Sequence, residues 1–163
     1  MTAPDGTSEF QFEKRRAAAT VTLSTGGSID GSFFIAGGIT RHEGPERIGE
    51  VLNGEHGFIP FETSDGGATR TVLLNRAHVV TVVLGDNEAG RDPGYAVAPL
   101  RHVRMRLSTG AELTGAVRVH RPEGRDRLSD WTRQPEVFRY LEAGGRLLLV
   151  NLAHVIDVAD VPA

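Results

Sequence analysis

The residues best placed to do chemistry are two histidines that close the same phrase: Leu73-Leu74-Asn75-Arg76-Ala77-His78-Val79-Val80 and, 76 positions on, Leu149-Val150-Asn151-Leu152-Ala153-His154-Val155-Ile156. A neutral imidazole ligates metals, and its charge switches near neutral pH. Brought near a pseudo-twofold axis, His78 and His154 are candidates for a metal site or for stacking against bases. No carboxylate or third histidine recurs beside them at ligand spacing. Each also follows a tight turn, where a ring can satisfy a backbone carbonyl. The structural role is therefore the expected one, and neither metal nor cofactor is expected. Asn75 and Asn151 read as turn residues, because an asparagine side chain bonds its own backbone two residues on.

Arginine is the second candidate chemistry. From Arg16 to Leu84 there are five arginines and seven acids, net −2, whereas from Arg101 to Val158 there are ten arginines and seven acids, net +3. Arg104 and Arg106 fall on the outward face of a strand, Arg118 faces outward from the next, and Arg76 sits in a tight turn. Such a face can grip phosphates or an acidic partner. Against nucleic acid stand the net charge of −3 and a single lysine, Lys14. An aromatic stacking platform is also missing. Trp131, the only tryptophan, either covers the core or anchors an interface. Glu50 and Asp130 each follow an arginine by three residues, Arg47 and Arg127, a spacing that suits a surface ion pair on one helical turn. No phosphate loop, dinucleotide fingerprint, nucleophile elbow or zinc-peptidase motif occurs. The chain has no cysteine, which removes disulfides, thiolate zinc sites and cysteine nucleophiles. Enzymatic activity is not expected.

The elements that must position these residues come in two copies. Leu23-Ser24-Thr25-Gly26 matches Leu107-Ser108-Thr109-Gly110, and each is followed by an apolar residue and a glycine, Ile29 with Gly31 and Leu113 with Gly115. Arg47-Ile48-Gly49-Glu50 matches Arg127-Leu128-Ser129-Asp130, and Phe58 with Phe61 matches Phe138 with Leu141. The offset falls from 84 to 80 to 76, so the deletions lie in loops and the order of elements is kept. Each copy reads as five short alternating strands. Between the second and third strands, Glu46 to Asn53 and Asp126 to Thr132 have helical spacing. Five strands of four to eight residues are too few for a sandwich and suit a small, strongly bent barrel. Gly31 and Gly115 sit where a side chain would obstruct the bend.

The expected organisation is an N-terminal tail or helix at 1–15, a first barrel at 16–84, a linker at 85–100, a second barrel at 101–158 and a tail at 159–163. Ser8 to Ala19 reads as a helix from a Ser8 cap or as an extended lead-in, with helix favoured by Arg15 to Ala19. Gly85 to Pro99, with three glycines and two prolines, reads as a solvated connection. The N-terminus has no signal-peptide pattern and no run is long enough to span a membrane. A cytoplasmic protein without membrane contact is expected.

At this point the pattern resembles the Sm-like proteins. "VTLSTGGSIDG" and "VRMRLSTGAELTG" are similar to their first motif, an apolar strand, a glycine turn and a glycine that lets the second strand bend. "VLLNRAHVVTVV" is similar to their second, two apolar strands around a tight basic turn. "RIGEVLN" followed by "FIPFE" and "LLNRAHV" resembles an uncharacterised bacterial family with tandem Sm-like or SH3-like barrels. The resemblance covers about four-fifths of the chain and implies a mainly β fold of two tandem five-stranded barrels, each with a short helix between strands two and three. Sm-like proteins bind RNA partly through a basic residue in the turn between strands four and five, and Arg76 matches that position. Leu152 occupies it in the second copy.

A lone barrel of about 60 residues is marginally stable, and its fourth and fifth strands leave edges that tend to pair with a neighbour. Fusing two copies supplies one neighbour and lets the copies diverge. The leading expectation is a non-enzymatic interaction or scaffolding module, self-associating or binding a protein partner through its outer faces and helical turns. The residues that would do so are Arg76, Arg104, Arg106, Arg118 and Trp131. The alternative is a divergent Sm-like RNA binder that uses the arginines.

Overall fold

The computed structural model describes residues 14–37, 44–54, 57–119 and 127–162. The chain is mainly β. Its first half runs β1 (Lys14–Leu23), β2 (Ser28–Ala36), α1 (Ile48–Asn53), β3 (Phe58–Asp65), β4 (Ala68–Asn75) and β5 (Val79–Leu84). The second half repeats the order with β6 (Leu100–Leu107), β7 (Glu112–Arg118), α2 (Leu128–Thr132), β8 (Phe138–Ala143), β9 (Arg146–Asn151) and β10 (Val155–Asp160). Both helices fall where sequence spacing predicts them. Glu50 accepts from the backbone N–H of Arg47 at 3.1 Å, and Asp130 from that of Arg127 at 3.2 Å. The acid three residues on therefore caps the helix start, satisfying an orphan donor of the first turn.

All ten strands form one antiparallel sheet in the order β10-β6-β7-β8-β9-β5-β1-β2-β3-β4, and it is not closed into a barrel. The sequence predicts two five-stranded barrels. The sheet stays open because a three-residue 3-10 turn, Arg76–His78, carries the chain from β4 to β5 without a hairpin between them. β5 instead pairs with β1 on one side and β9 on the other. The 3-10 turn Leu152–His154 does the same between β9 and β10.

The bend expected at the second strand of each half has a visible cause. A Cβ on Gly31 would lie 2.0 Å from the Glu62 carbonyl oxygen, and one on Gly115 would lie 2.4 Å from that of Glu142. Only glycine admits so close an approach. The core divides into two clusters. One is built on Val21, Phe33, Leu52, Phe61 and Val82 and takes in Phe138, Leu147 and Leu149 from the second half. The other is built on Val103, Met105, Val117, Trp131 and Leu141 and takes in Val80 from the first.

Two further expectations are corrected. Lys14–Ala19, read as the end of a possible helix, belongs to β1. Ala19 and Val21 face the core there while the strand pairs on both sides, and that pairing overrides the helix preference of the alanines. The Ser8 cap and Phe10 and Phe12 lie outside the described residues. The connection after β5, read as solvated, is packed instead: Glu88, Ala89 and Tyr95 are buried in it. It includes a 3-10 turn, Glu88–Arg91, capped by the Asn87 side chain.

Candidate functional site

The site the fold defines is a seam and two edges. At the seam, β5 and β9 pair as Thr81 with Val150, Val82 with Leu149 and Val83 with Leu148. Both strands lie between the two core clusters and bury both faces, Leu149 in one and Val150 in the other. That explains why Val79 to Leu84 and Leu147 to Val150 are almost continuously apolar, where a strand with one wet face would alternate. Asn151 and His154 close the seam. The Asn151 side-chain oxygen caps Ala153 N–H at 3.0 Å, and its amide donates to the Val79 carbonyl at 2.8 Å. His154 Nε2 donates to the Ala77 carbonyl at 2.6 Å, which leaves Nδ1 of the neutral ring to accept the Ser108 hydroxyl at 2.7 Å.

At the two ends of the sheet the equivalent strands, β4 and β10, pair on one side only among the described residues and so present open edges. Leu73, the equivalent of Leu149, is 65% exposed where Leu149 is 0%. Ile156, the equivalent of Val80, is 63% exposed where Val80 is 0%. Phe58, the equivalent of Phe138, is 58% exposed where Phe138 is 2%. Asn75 caps Ala77 N–H at 3.0 Å and His78 Nδ1 meets the Ser24 hydroxyl at 2.7 Å, as in the second half. Among the described residues, however, neither the Asn75 amide nor His78 Nε2 meets a partner. The duplicated asparagine and histidine are thus turn residues on one side and seam-closing donors on the other.

The arginines singled out by sequence are engaged within the chain. Arg76 donates to the Leu52 carbonyl at 3.2 Å and to that of Gly54, tying the β4–β5 turn to the end of α1. Arg104 pairs with Glu112 at 3.1 Å, and Arg106 donates to Asp157 from Nε at 2.6 Å. The Arg106 guanidinium holds the Asp157 carboxyl below its usual range. Arg118 meets Glu142 at 2.9 Å, lies 5.3 Å over the Tyr95 ring, and donates to the Ala96 and Ala98 carbonyls. It pins the connection between the halves onto the sheet. Glu142 is held below the ordinary carboxylate range by Arg118, with a further hydrogen bond from the Tyr95 hydroxyl at 2.8 Å. Trp131 is buried in the second cluster with Arg139 5.1 Å from its ring. Of these five residues, Arg118 and Trp131 line one cavity with Tyr95 and Tyr140, and Arg76, Arg104 and Arg106 do not line it.

Sequence reasoning missed three polar side chains that tie the halves together. The buried Glu88 carboxylate accepts from Ile48 N–H and Gly49 N–H, both at 2.9 Å, and from the Tyr140 hydroxyl at 2.6 Å. One acid thereby satisfies the start of α1 and fastens it to β8. Burial, then the negative Glu88, pushes the Tyr140 phenol above its usual value. Asn53 gives both ends of its amide to the backbone of Phe138, at 2.8 Å and 3.0 Å. No periodicity marks Glu88, which lies in the unrepeated connection. The halves differ at the others, since Pro60 stands where Tyr140 does in the second half.

Among the described residues no group of three or more His, Cys, Asp or Glu side chains is arranged to hold a metal ion. No helix among them is long and apolar enough to cross a membrane. These features define a mainly β protein with one open ten-stranded antiparallel sheet. No family model, curated protein or solved structure matches the chain.

Proposed function

We propose that this protein is a non-enzymatic interaction module, built from two diverged copies of one Sm-like or SH3-like small-barrel unit, that takes up strands of a protein partner on its open edges β4 and β10. The observation that carries this reading is the contrast in burial. Side chains buried at the β5·β9 seam have exposed equivalents at both ends of the sheet, and an unpaired edge flanked by apolar side chains is a template for strand addition. The recurrent element order and the paired close-approach glycines support the duplicated unit. The RNA-binding alternative draws less support, because Arg76, Arg104, Arg106 and Arg118 already have acceptors within the chain.

Hydrogen exchange tests the reading. A synthetic peptide with the β9 sequence, residues 146–154, is added to the whole protein, and exchange of the β10 amides that point away from β6 is followed. Those amides are expected to be protected, either by the peptide or already by raising the protein concentration. Exchange at the rate of an open strand under every condition would overturn the proposal. Protection that appears only with an RNA pool at low salt would transfer the assignment to the nucleic-acid alternative.

A further inference from the structure

We infer that the cavity lined by Tyr95, Tyr140 and Trp131 is a binding site for a small aromatic carboxylate, with Arg47 receiving the carboxylate and the aromatic side chains bounding its flat body. The cavity has a volume of about 690 Å³, within the range of small-molecule sites. Both halves wall it. α1 contributes Gly49 and Asn53, the connection after β5 contributes Tyr95, and α2 and β8 contribute Trp131 and Tyr140. This site is separate from the open edges and does not depend on strand uptake.

Most of the polar groups in the walls are already committed, so what the walls offer a ligand is chiefly flat and apolar. The Tyr95 and Tyr140 rings meet edge to face, with centroids 6.3 Å apart. Their hydroxyls are engaged, Tyr95 with Glu142 at 2.8 Å and Tyr140 with Glu88 at 2.6 Å. Burial pushes both phenols up, so both stay neutral. Arg118 gives its guanidinium to Glu142 and to the Ala96 and Ala98 carbonyls, and Arg139 donates to the Trp131 and Gln134 carbonyls. Asn53 has both ends of its amide on the Phe138 backbone.

Arg47 is the exception. It lines the cavity, its Nε is buried, and no acceptor among the described residues meets that N–H. A buried donor without a partner is costly, and such groups ordinarily have an acceptor. Its equivalent in the second half, Arg127, is exposed and does not line the cavity. The Arg47 charge lies near enough to the Tyr140 phenol to oppose the effect of Glu88 on it, so the unmet donor and the aromatic wall are neighbours. A carboxylate suits this donor, because the edge of a guanidinium presents two parallel N–H groups to two oxygens. Three acids, Glu50, Asp92 and Glu136, also line the cavity, and their charge disfavours a dianion such as phosphate. A flat apolar body with a single negative charge is the class that remains.

Trp131 is the only tryptophan and lines the cavity, so its fluorescence reports occupancy. The whole protein is titrated with phenylacetate, with phenylacetamide, which keeps the shape and lacks the charge, and with acetate, which lacks the ring. The amide resonances of Gly49 and Gly54, which also line the cavity, are followed in parallel. The expected result is a saturable response to phenylacetate at both reporters, at least about tenfold tighter than to either comparison compound, and a similar loss of affinity in Arg47→Gln. Should Arg47→Gln fail to fold, the comparison of acid with amide on the native chain decides alone. No saturable response to phenylacetate, or equal affinity for phenylacetamide, would overturn the inference. So would undiminished binding by a folded Arg47→Gln variant, or tighter binding of inorganic phosphate than of phenylacetate at the same reporters.

Discussion

The seam and the open edges are made of equivalent strands with opposite fates. β9 is buried from Leu147 to Asn151, whereas in β4 only Leu74 is buried. β5 is buried along nearly its whole length, whereas β10 has no buried residue. The repeated phrase supplies both pairs with the same turn, the same serine–histidine contact and the same capping asparagine. Beside a difference in composition, what separates them among the described residues is a neighbouring strand, which β9 and β5 have and β4 and β10 lack. Because the two halves have the same element order, exposure in one half has a control in the other.

The largest effect that would sharpen this contrast is at the equivalent leucines. Leu149→Ala should cost about 2–5 kcal/mol in urea unfolding, the range for truncating a fully buried leucine. Leu73→Ala, measured where the protein is one chain, should stay within about 0.5 kcal/mol. Equal costs in dilute solution would break the comparison.

A smaller effect is expected at Glu88, which serves the seam and has no counterpart at the open edges. Glu88→Gln puts an amide NH2, which cannot accept, in place of one of the two carboxylate oxygens, so at least one of the three bonds is lost and the others lose their charge, and it should cost about 1.5–3 kcal/mol. Exchange at the Ile48 and Gly49 amides should quicken with it. An unchanged midpoint with unchanged exchange there would remove Glu88 from the account of how the halves are held.

The smallest effect is electrostatic. Arg118 holds the folded pKa of Glu142 below the unfolded value. Its contribution is therefore present above the ordinary carboxylate range and is lost as pH falls through the depressed folded value. Glu142→Gln should lower the unfolding midpoint at neutral pH and make the acid limb of the stability profile shallower. An unchanged profile would show that the Arg118 contact does not fasten the connection to the sheet.

Much of the local structure was legible in the sequence, because turns, bends and short helices depend on residues near one another. Gly31 and Gly115, the two helices and the 3-10 turns after Asn75 and Asn151 all follow from local patterns. Strand partnership was not legible from alternation, which says which way a side chain faces and not which strand lies beside it. A signal was nevertheless present. Leu147-Leu148-Leu149-Val150 is apolar on both faces where Thr71-Val72-Leu73-Leu74 begins with a polar residue, and Val79 to Leu84 contains one polar residue where Val155 to Asp160 contains two aspartates. The more apolar member of each pair is the seam strand. The site residues were harder to read. Arginine faces look available in a sequence because their acceptors, such as Asp157 for Arg106, lie some 50 residues away. Trp131 reads from the sequence as either core cover or anchor, and its burial, which decides for core cover, depends on strands of the same half closing over it. Asn151 and His154 were recognised as turn residues, while their second bonds, to Val79 and Ala77, required the seam to be seen.

Hydrogen exchange at β10 puts strand uptake on the open edge at greatest risk. With a peptide of residues 146–154 added, the β10 amides that point away from β6 should slow in the native chain and stay fast in a variant carrying Ile156→Lys, which sets a charge where the seam buries Val80. Equal exchange with and without the peptide, or equal slowing in the native chain and the variant, would count against strand uptake.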